Sequence, residues 1–283
     1  MVKTNYHTHT AFCDGIGTPE EIAAAAAKKQ FDILGFSSHS MHPFAGSWHI
    51  PPRAHADYAA AVRAVAETYR GQLDILCGFE ADYIPGICRP SMDDYAAFRP
   101  DYLIGSVHYI VARDGHFCAD DPAEGVAEGI RRHFRGDARA AVCTYFSLQR
   151  EMLAGGGFAI WGHPDLIRIR NAALRLFNES DSWYRNELKA TARAARKAGV
   201  IAEINTGAIN RGAMDDVYPS ADFLQMLHAE GVPVTVNSDA HAADQLDGAF
   251  CRAFRAAEAA GYRETAYLAA DGSAALQPIG RIR

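Results

Sequence analysis

Three observations predict an α/β barrel for this chain. Short apolar runs, about seven of them, alternate with amphipathic helical patterns, the order that builds a parallel sheet covered by helices. Nearly every run delivers a His, Asp or Glu at or just beyond its C-terminal end. Barrels carry their functional groups around that end, whereas an open doubly wound sheet gathers them at one switch point. No glycine-rich phosphate loop of either nucleotide-binding type interrupts the pattern.

The elements follow in order. Residues 3–6 are extended and lead into Y-H-T-H-T-A-F-C-D at 6–14. His7 and His9 share a face if the backbone stays strand-like, because side chains alternate with period two. Two imidazoles aimed at one point make a metal pincer, and Asp14 follows on a loop turned by Gly15 and Gly17. Thr18-Pro19-Glu20-Glu21 is a capping box with proline at the first helical position, opening a helix that runs to Gln30. Residues 33–36 are too short for a helix and predict a buried strand ending in Ser37-Ser38-His39. A helix over 54–69 precedes the run 73–79, which ends in Glu80, and the run 101–107 ends in His108. Helices near 123–134 and 138–153 precede 158–161, followed by Gly162-His163-Pro164-Asp165. An amphipathic helix over 182–198 leads to 200–202, with Glu203, Ile204 and Asn205 next. A last helix over 221–230 precedes 232–236, which runs into Asn237-Ser238-Asp239-Ala240-His241. Gly71, Gly199 and Gly231 stand where helix C-caps belong.

The chain has 283 residues, 49% hydrophobic and 22% charged, with a formal net charge of -6. That length suits two domains or one barrel; without a linker, low-complexity stretch or repeat, a single domain over 1–283 is expected. Nothing resembles a signal peptide and no apolar run approaches the ~18 residues of a membrane span, so a cytoplasmic protein without a membrane partner is expected. Cys13, Cys77, Cys88, Cys118, Cys143 and Cys251 lack C-x-x-C spacing, which fits reduced thiols rather than a zinc knuckle or a disulfide framework. Net acidity without a basic, aromatic groove argues against a nucleic-acid partner. Oligomeric state is left open by the sequence.

The strand-end groups are His7, His9, Asp14, His39, Glu80, His108, His163, Asp239 and His241. Any one alone is more often structural or solvated. All of them at the same end of consecutive strands point to metal. A His/carboxylate set without thiolates suits Zn, Mn or Fe, and nine donors exceed what one ion can use. Two to three divalent transition-metal ions sharing bridging groups are therefore expected.

These residues also carry a family resemblance. The motifs are Y-H-T-H-T-A-F-C-D-G at the start, G-F-S-S-H-S at 35–40, G-F-E-A-D-Y-I-P-G at 78–86 and I-G-S-V-H-Y at 104–109. G-H-P-D-L-I at 162–167, E-I-N-T at 203–206 and S-D-A-H at 238–241 complete the set. The chain resembles the polymerase-and-histidinol-phosphatase (PHP) superfamily and, within it, the monofunctional histidinol-phosphatase family. The resemblance implies a distorted (β/α)7 TIM-like barrel and a trinuclear cluster. By it, His7, His9, Glu80 and Asp239 hold one ion; Glu80 bridges to a second, shared with His108 and His163; Asp14, His39 and His241 hold the third. It implies hydrolysis of a phosphate monoester, first of all L-histidinol phosphate to L-histidinol and phosphate in histidine biosynthesis. A hydroxide bridging two ions would be the nucleophile, with the remaining charge neutralising phosphoryl oxygens. The alternative is a small-molecule phosphatase of the same family acting on a sugar or nucleotide phosphate. A structural or proofreading polymerase module is disfavoured by net acidity and the lack of a polymerase region in this chain.

Outside the cluster, His42 and Asp165 are candidates to protonate the leaving group, each set against a loop or capping role. Arg211, Arg168 and Arg170 lie beyond strand ends, where a guanidinium pairs well with phosphate, although surface solvation is the default for arginine. Glu203 is a candidate acceptor for a substrate ammonium, set against a structural salt bridge. His49, His55, His116, His133 and His228 lie off the strand ends and are read as ordinary. Tyr83 and Trp48 are candidates to stack on an imidazole, against the commoner fate of buried packing.

Overall fold

A computed structural model describes residues 1–280. Seven strands pair in chain order: β1 (Thr4–Asn5), β2 (Ile33–Phe36), β3 (Asp74–Asp82), β4 (Tyr102–Ser106), β5 (Ile160–Trp161), β6 (Ile201–Asn205) and β7 (Val234–Asn237). Every pairing among them is parallel. The ring nearly closes on itself just past the last pair. Thr8 bridges Ala240 in parallel, with His9 N–H donating to the Ala240 carbonyl at 2.8 Å and Ala240 N–H to the His7 carbonyl at 3.0 Å. The pair His39–Ser40 lies alongside β3 and sets His39 opposite Glu80.

The helices fall where the pattern places them. The first, α1 (Pro19–Lys28), opens on the Thr18/Glu21 capping box with both reciprocal bonds formed. Then come α2 (His55–Thr68), α3 (Ala123–Phe134), α4 (Ala138–Gly155), α5 (Ser182–Ala198) and α6 (Ala221–Ala229). Gly199 ends α5 with φ +71°, a left-handed cap that costs a glycine nothing. Elements beyond the sequence reading include α7 (Phe250–Ala260), a hairpin of Tyr109–Ala112 with Gly115–Cys118, a hairpin of Glu264–Leu268 with Ala274–Pro278, and the short helices Asn171–Leu174 and Gly207–Asn210.

Period-two alternation explains how one strand face becomes both core and site. Outward residues such as Leu34, Phe36, Phe79, Leu103, Trp161, Ile204 and Val236 pack in one large cluster with helix residues such as Ile22, Tyr58, Tyr145, Leu188 and Leu224. Each such side chain contributes about 1.5–3 kcal/mol on burial. Inward residues near the strand starts form a second cluster of Tyr6, Ile33, Leu76, Tyr102, Ile104, Ile160 and Ile201. Ala266 and Leu268 of the C-terminal hairpin complete it. The Tyr6 hydroxyl donates to the Leu268 carbonyl at 2.8 Å and accepts from Leu268 N–H at 2.9 Å. Tyr102 crosses this floor to the carbonyls of Tyr6 and Phe36, and a Cβ on Gly35 or Gly78 would collide with it. Those close approaches explain two glycines inside apolar strands. Two to four residues further along these strands the same face turns polar: Glu80 and Asp82, Ser106 and His108, Glu203 and Asn205.

Candidate metal centre

Above that apolar floor, the nine strand-end residues converge into adjoining nests of donor atoms. In the first, His7 Nε2 lies 3.1 Å from Glu80 Oε2 and 3.6 Å from Asp239 Oδ1, while His9 Nε2 lies 3.6 and 3.1 Å from the same two oxygens. In the second, Glu80 Oε1 lies 2.8 Å from His163 Nε2 and 3.4 Å from His108 Nε2. In the third, Asp14 Oδ1 lies 3.5 Å from His241 Nε2 and 3.7 Å from His39 Nε2. The two oxygens of Glu80 thus face two different nests. The His39 ring joins them to the third, because its Nδ1 lies 2.7 Å from Glu80 Oε2.

The residues fit divalent metal ions on two counts. His7 Nε2 and Glu80 Oε2 are buried with no hydrogen-bond partner, though they face each other across the first nest. A lone pair on each, aimed at a common point, is what an ion requires and what a hydrogen-bonded core avoids. The charge field agrees. Burial opposes ionisation of Glu80 and Asp239, yet both carboxyls are held well below the usual range, Glu80 by His7, His39 and His108, and Asp239 by Arg211 and His7. Burial also opposes a charge on His7 and His108, yet Glu203 and Glu80 draw the first well up, and Asp82 and Glu80 draw the second to about 10. This pocket is built to hold positive charge.

A further layer of carboxylates orients the rings. Asp82 Oδ1 lies 2.6 Å from His108 Nδ1, and its other oxygen lies 2.6 Å from His49 Nε2. His49 Nδ1 in turn accepts from Gly46 N–H at 3.0 Å, so its proton is on Nε2 and donates to Asp82. Despite burial, His108 and His49 hold the Asp82 pKa at about 2. With Asp82 accepting at Nδ1, it is the Nε2 of His108 that the neutral ring presents bare toward Glu80. Neither Asp82 nor His49 was singled out by the sequence. Asp82 carries a usable signal, two residues past Glu80 on the same strand face; His49, off the strand ends, carries none, since it reaches the site only through a loop.

Several candidates land elsewhere. Glu203 is fully buried on β6 and all its hydrogen bonds go to the site's own frame, so no route leads a substrate ammonium to it. Arg168 is buried and spends its guanidinium on Glu179, Asp216 and the Val217 carbonyl, away from the mouth, which corrects its reading as a phosphate partner. Asp165 turns back to accept from Ser220 N–H at 2.9 Å, and burial raises its carboxyl to about 6 despite Arg168 nearby. It does not line the mouth. His42 lines a separate cleft with Tyr83, Cys88 and Asp94 and packs on Phe98 at 5.0 Å, so neither it nor Tyr83 reaches the cluster. Arg170 holds the carbonyls of Asp120 and Asp121 at 2.6 and 2.7 Å. His55 is buried against Ser40.

The mouth itself is a cavity of about 330 Å³. Beside the nests it is lined by Trp48, Cys118, Asp120, Asp121 and Arg211. Trp48 stacks on His49 at 3.7 Å and meets His39 edge-on at 4.6 Å. Arg211, among the described residues the only Lys or Arg in that lining, bonds Asp239 Oδ2 and the Asp239 carbonyl, both at 3.0 Å. Asp239 is held there at φ +51°, a left-handed conformation uncommon for a non-glycine residue. Among the described residues, no helix is long and apolar enough to cross a membrane.

Comparison with known proteins agrees with this geometry. The PHP domain family matches residues 5–207. A Deinococcus radiodurans protein named "Probable histidinol-phosphatase" is 30% identical over 88% of this chain and 90% of its own length. The Bacillus subtilis "Histidinol-phosphatase" is 25% identical over 88% of this chain and 97% of its own. A histidinol phosphate phosphatase structure from Lactococcus lactis, complexed with zinc, L-histidinol and phosphate, superposes with a TM-score of 0.71 at 17% identity, covering 95% of this chain and 98% of its own. A structure from Listeria monocytogenes superposes with a TM-score of 0.76 at 20% identity, over 88% and 99%. At such identities these two structures show the shared fold.

Proposed function

The chain belongs to the PHP family, and we propose that it is a metal-dependent phosphate monoester hydrolase acting on L-histidinol phosphate. The observation that carries the reading is Glu80, one buried carboxylate whose two oxygens face two separate nests of imidazoles. Its relatives named histidinol-phosphatase at 25–30% identity support the choice of ester.

Two to three ions of Zn, Mn or Fe suit the donor set. His7, His9, Glu80 and Asp239 would hold one, Glu80 with His108 and His163 a second, and Asp14, His39 and His241 a third. Bound there, such ions neutralise phosphoryl charge and lower the pKa of water toward roughly 7. The chain's own residues do the rest. Asp82 and Glu203 keep the Nε2 lone pairs of His108 and His7 aimed inward. Arg211 anchors Asp239 and is the nearest side-chain cation for a phosphoryl oxygen at the mouth. Asp120 and Asp121, on the loop pinned by Arg170, line the mouth and would accept the substrate ammonium. Trp48 offers an aromatic surface beside them.

Steady-state kinetics of the metal-loaded protein on a panel of esters test the proposal. Catalytic efficiency on histidinol phosphate should exceed that on p-nitrophenyl phosphate at least ~100-fold, the scale a few polar contacts provide. A sugar phosphate or nucleotide that equals histidinol phosphate would transfer the assignment to that ester and leave the hydrolase reading intact. Full turnover after rigorous chelation would reject the metal-dependent reading.

A further inference from the structure

Glu203 occupies an unusual position. It lies one layer below the nests, touches no donor face of the second or third, and yet contacts both halves of the Glu80-bridged pair. Its Oε1 accepts from His7 Nδ1 at 2.7 Å and Asn237 Nδ2 at 2.9 Å. Its Oε2 accepts from the backbone N–H of His163 and from Asn205 Nδ2, both at 2.8 Å. We infer that Glu203 is a positioning residue that selects the metal-binding tautomer of His7 and ties the first nest to the second. The inference rests on the metal reading of the site and is independent of which ester is hydrolysed.

An ionised carboxylate only accepts, so the nitrogen of His7 facing it must carry the proton. In the neutral ring that binds metal Nε2 is then bare, and it is this atom that lacks a hydrogen-bond partner and points at Glu80 and Asp239. Glutamine in place of Glu203 brings one NH2 into a ring of four donors. The His163 donor is backbone and cannot turn, so the glutamine oxygen goes to it and the NH2 faces His7. Asn237 cannot flip to receive it freely, because its Oδ1 already accepts from Tyr6 N–H at 2.8 Å. His7 can accept at Nδ1 only by moving its proton to Nε2, and that proton occupies the lone pair an ion would use. A substitution that changes no ligand thereby closes one nest. The Asp14–His39–His241 nest makes no contact with Glu203 and is left as it was.

The test uses zinc-loaded wild-type protein, Glu203→Gln, His7→Ala and the double variant, each dialysed against a graded chelator and assayed for bound zinc. Glu203→Gln should give up about one equivalent at 10- to 100-fold lower chelator strength than wild type, the usual effect of removing an orienting carboxylate. The double variant should release zinc no more easily than His7→Ala, because the carboxylate acts through that ring. A Glu203→Gln protein that retains wild-type zinc at every chelator strength overturns the inference, as does additivity in the double variant. Nitrogen-15 NMR of zinc-loaded wild-type protein keeps the inference testable even where the variant fails to fold. It should show His7 with zinc on Nε2 and a protected Nδ1–H; zinc on Nδ1 overturns it. Wild-type protein that binds no zinc sinks the metal reading, and this inference with it.

Discussion

Replacing Glu80 with glutamine removes one negative charge from the centre of the cluster and exchanges one acceptor oxygen for a donor. Glu80 Oε1 already accepts from the Ser106 hydroxyl at 2.7 Å and faces His163 at 2.8 Å, while Oε2 faces His7 and His39 at 3.1 and 2.7 Å. Whichever way the amide turns, its NH2 points at ligand nitrogens of one nest. Loss of an outer orienting partner commonly costs 10- to 100-fold in metal affinity, so loss of a bridging ligand should cost at least ~100-fold. Where free zinc stands about 100-fold above the dissociation constant, binding stabilises the fold by ~2.7 kcal/mol, and this contribution disappears in the variant. For a chain of this size that is a shift of about 4–5 °C in Tm. The assay is a thermal scan with and without zinc, read beside elemental analysis and turnover. Wild type should gain that shift and the variant little of it, with turnover reduced ~100-fold or more. A Glu80→Gln protein with full metal content, the full zinc-induced shift and normal turnover would refute the bridging role.

Asp82→Asn should weaken one metal equivalent 10- to 100-fold in chelator titration, because the proton of His108 is no longer fixed at Nδ1. Asp120→Asn should lower kcat/KM on histidinol phosphate ~10- to 100-fold, the worth of one charged hydrogen bond, and leave p-nitrophenyl phosphate hydrolysis near wild type. An equal fall on both esters would remove Asp120 from ammonium recognition. His55 predicts a pH effect from outside the ligand set. Burial, with His42 nearby, pushes its pKa down to about 4, and its neutral ring accepts from Ser40 Oγ through Nε2 at 2.7 Å. The unfolded chain takes up a proton near pH 6.5 that the folded chain refuses until about pH 4. Stability therefore falls as pH drops through that window, by about 2–3 kcal/mol, and is unaffected above it. Urea melts of wild type and His55→Gln across pH 7.5–4 should show a shallower acid loss in the variant, and parallel curves would count against the assignment.

Much of the fold was written locally. The Thr18-Pro19-Glu20-Glu21 box, the strand Ile33–Phe36 and the helices Ala123–Phe134 and Ser182–Ala198 all lie where short-range chemistry places them. The ring of strand-end groups was legible for the same reason, since period two and the C-terminal end of a strand are local properties. Depth was not. Glu80 and Glu203 are both strand carboxylates facing inward, yet one sits among the nests and the other beneath them, and only the stagger of neighbouring strands decides which. Partnerships were not legible either. Glu203 meets His7 across 196 positions of chain and His49 meets Asp82 by folding a loop over the mouth. The arginines failed for a simpler reason: Arg168 and Arg170 each lie beyond a strand end, but acidic and carbonyl partners claim them first.

The near-closure of the ring between Thr8 and Ala240 has a consequence for the chain during synthesis. His9 leaves the ribosome 230 residues ahead of Asp239, the carboxylate it faces, a wait of about 10–50 s at ~5–20 residues per second. Through that interval the first nest lacks its second carboxylate and the edge beyond Thr8 stays unpaired. The floor beneath them stays open longer still, because Leu268 comes later than any ligand. Closing the first nest thus waits on Asp239, although the second needs nothing beyond His163, and a ribosome that stalls before the last strand would leave the first nest open above an unfinished floor.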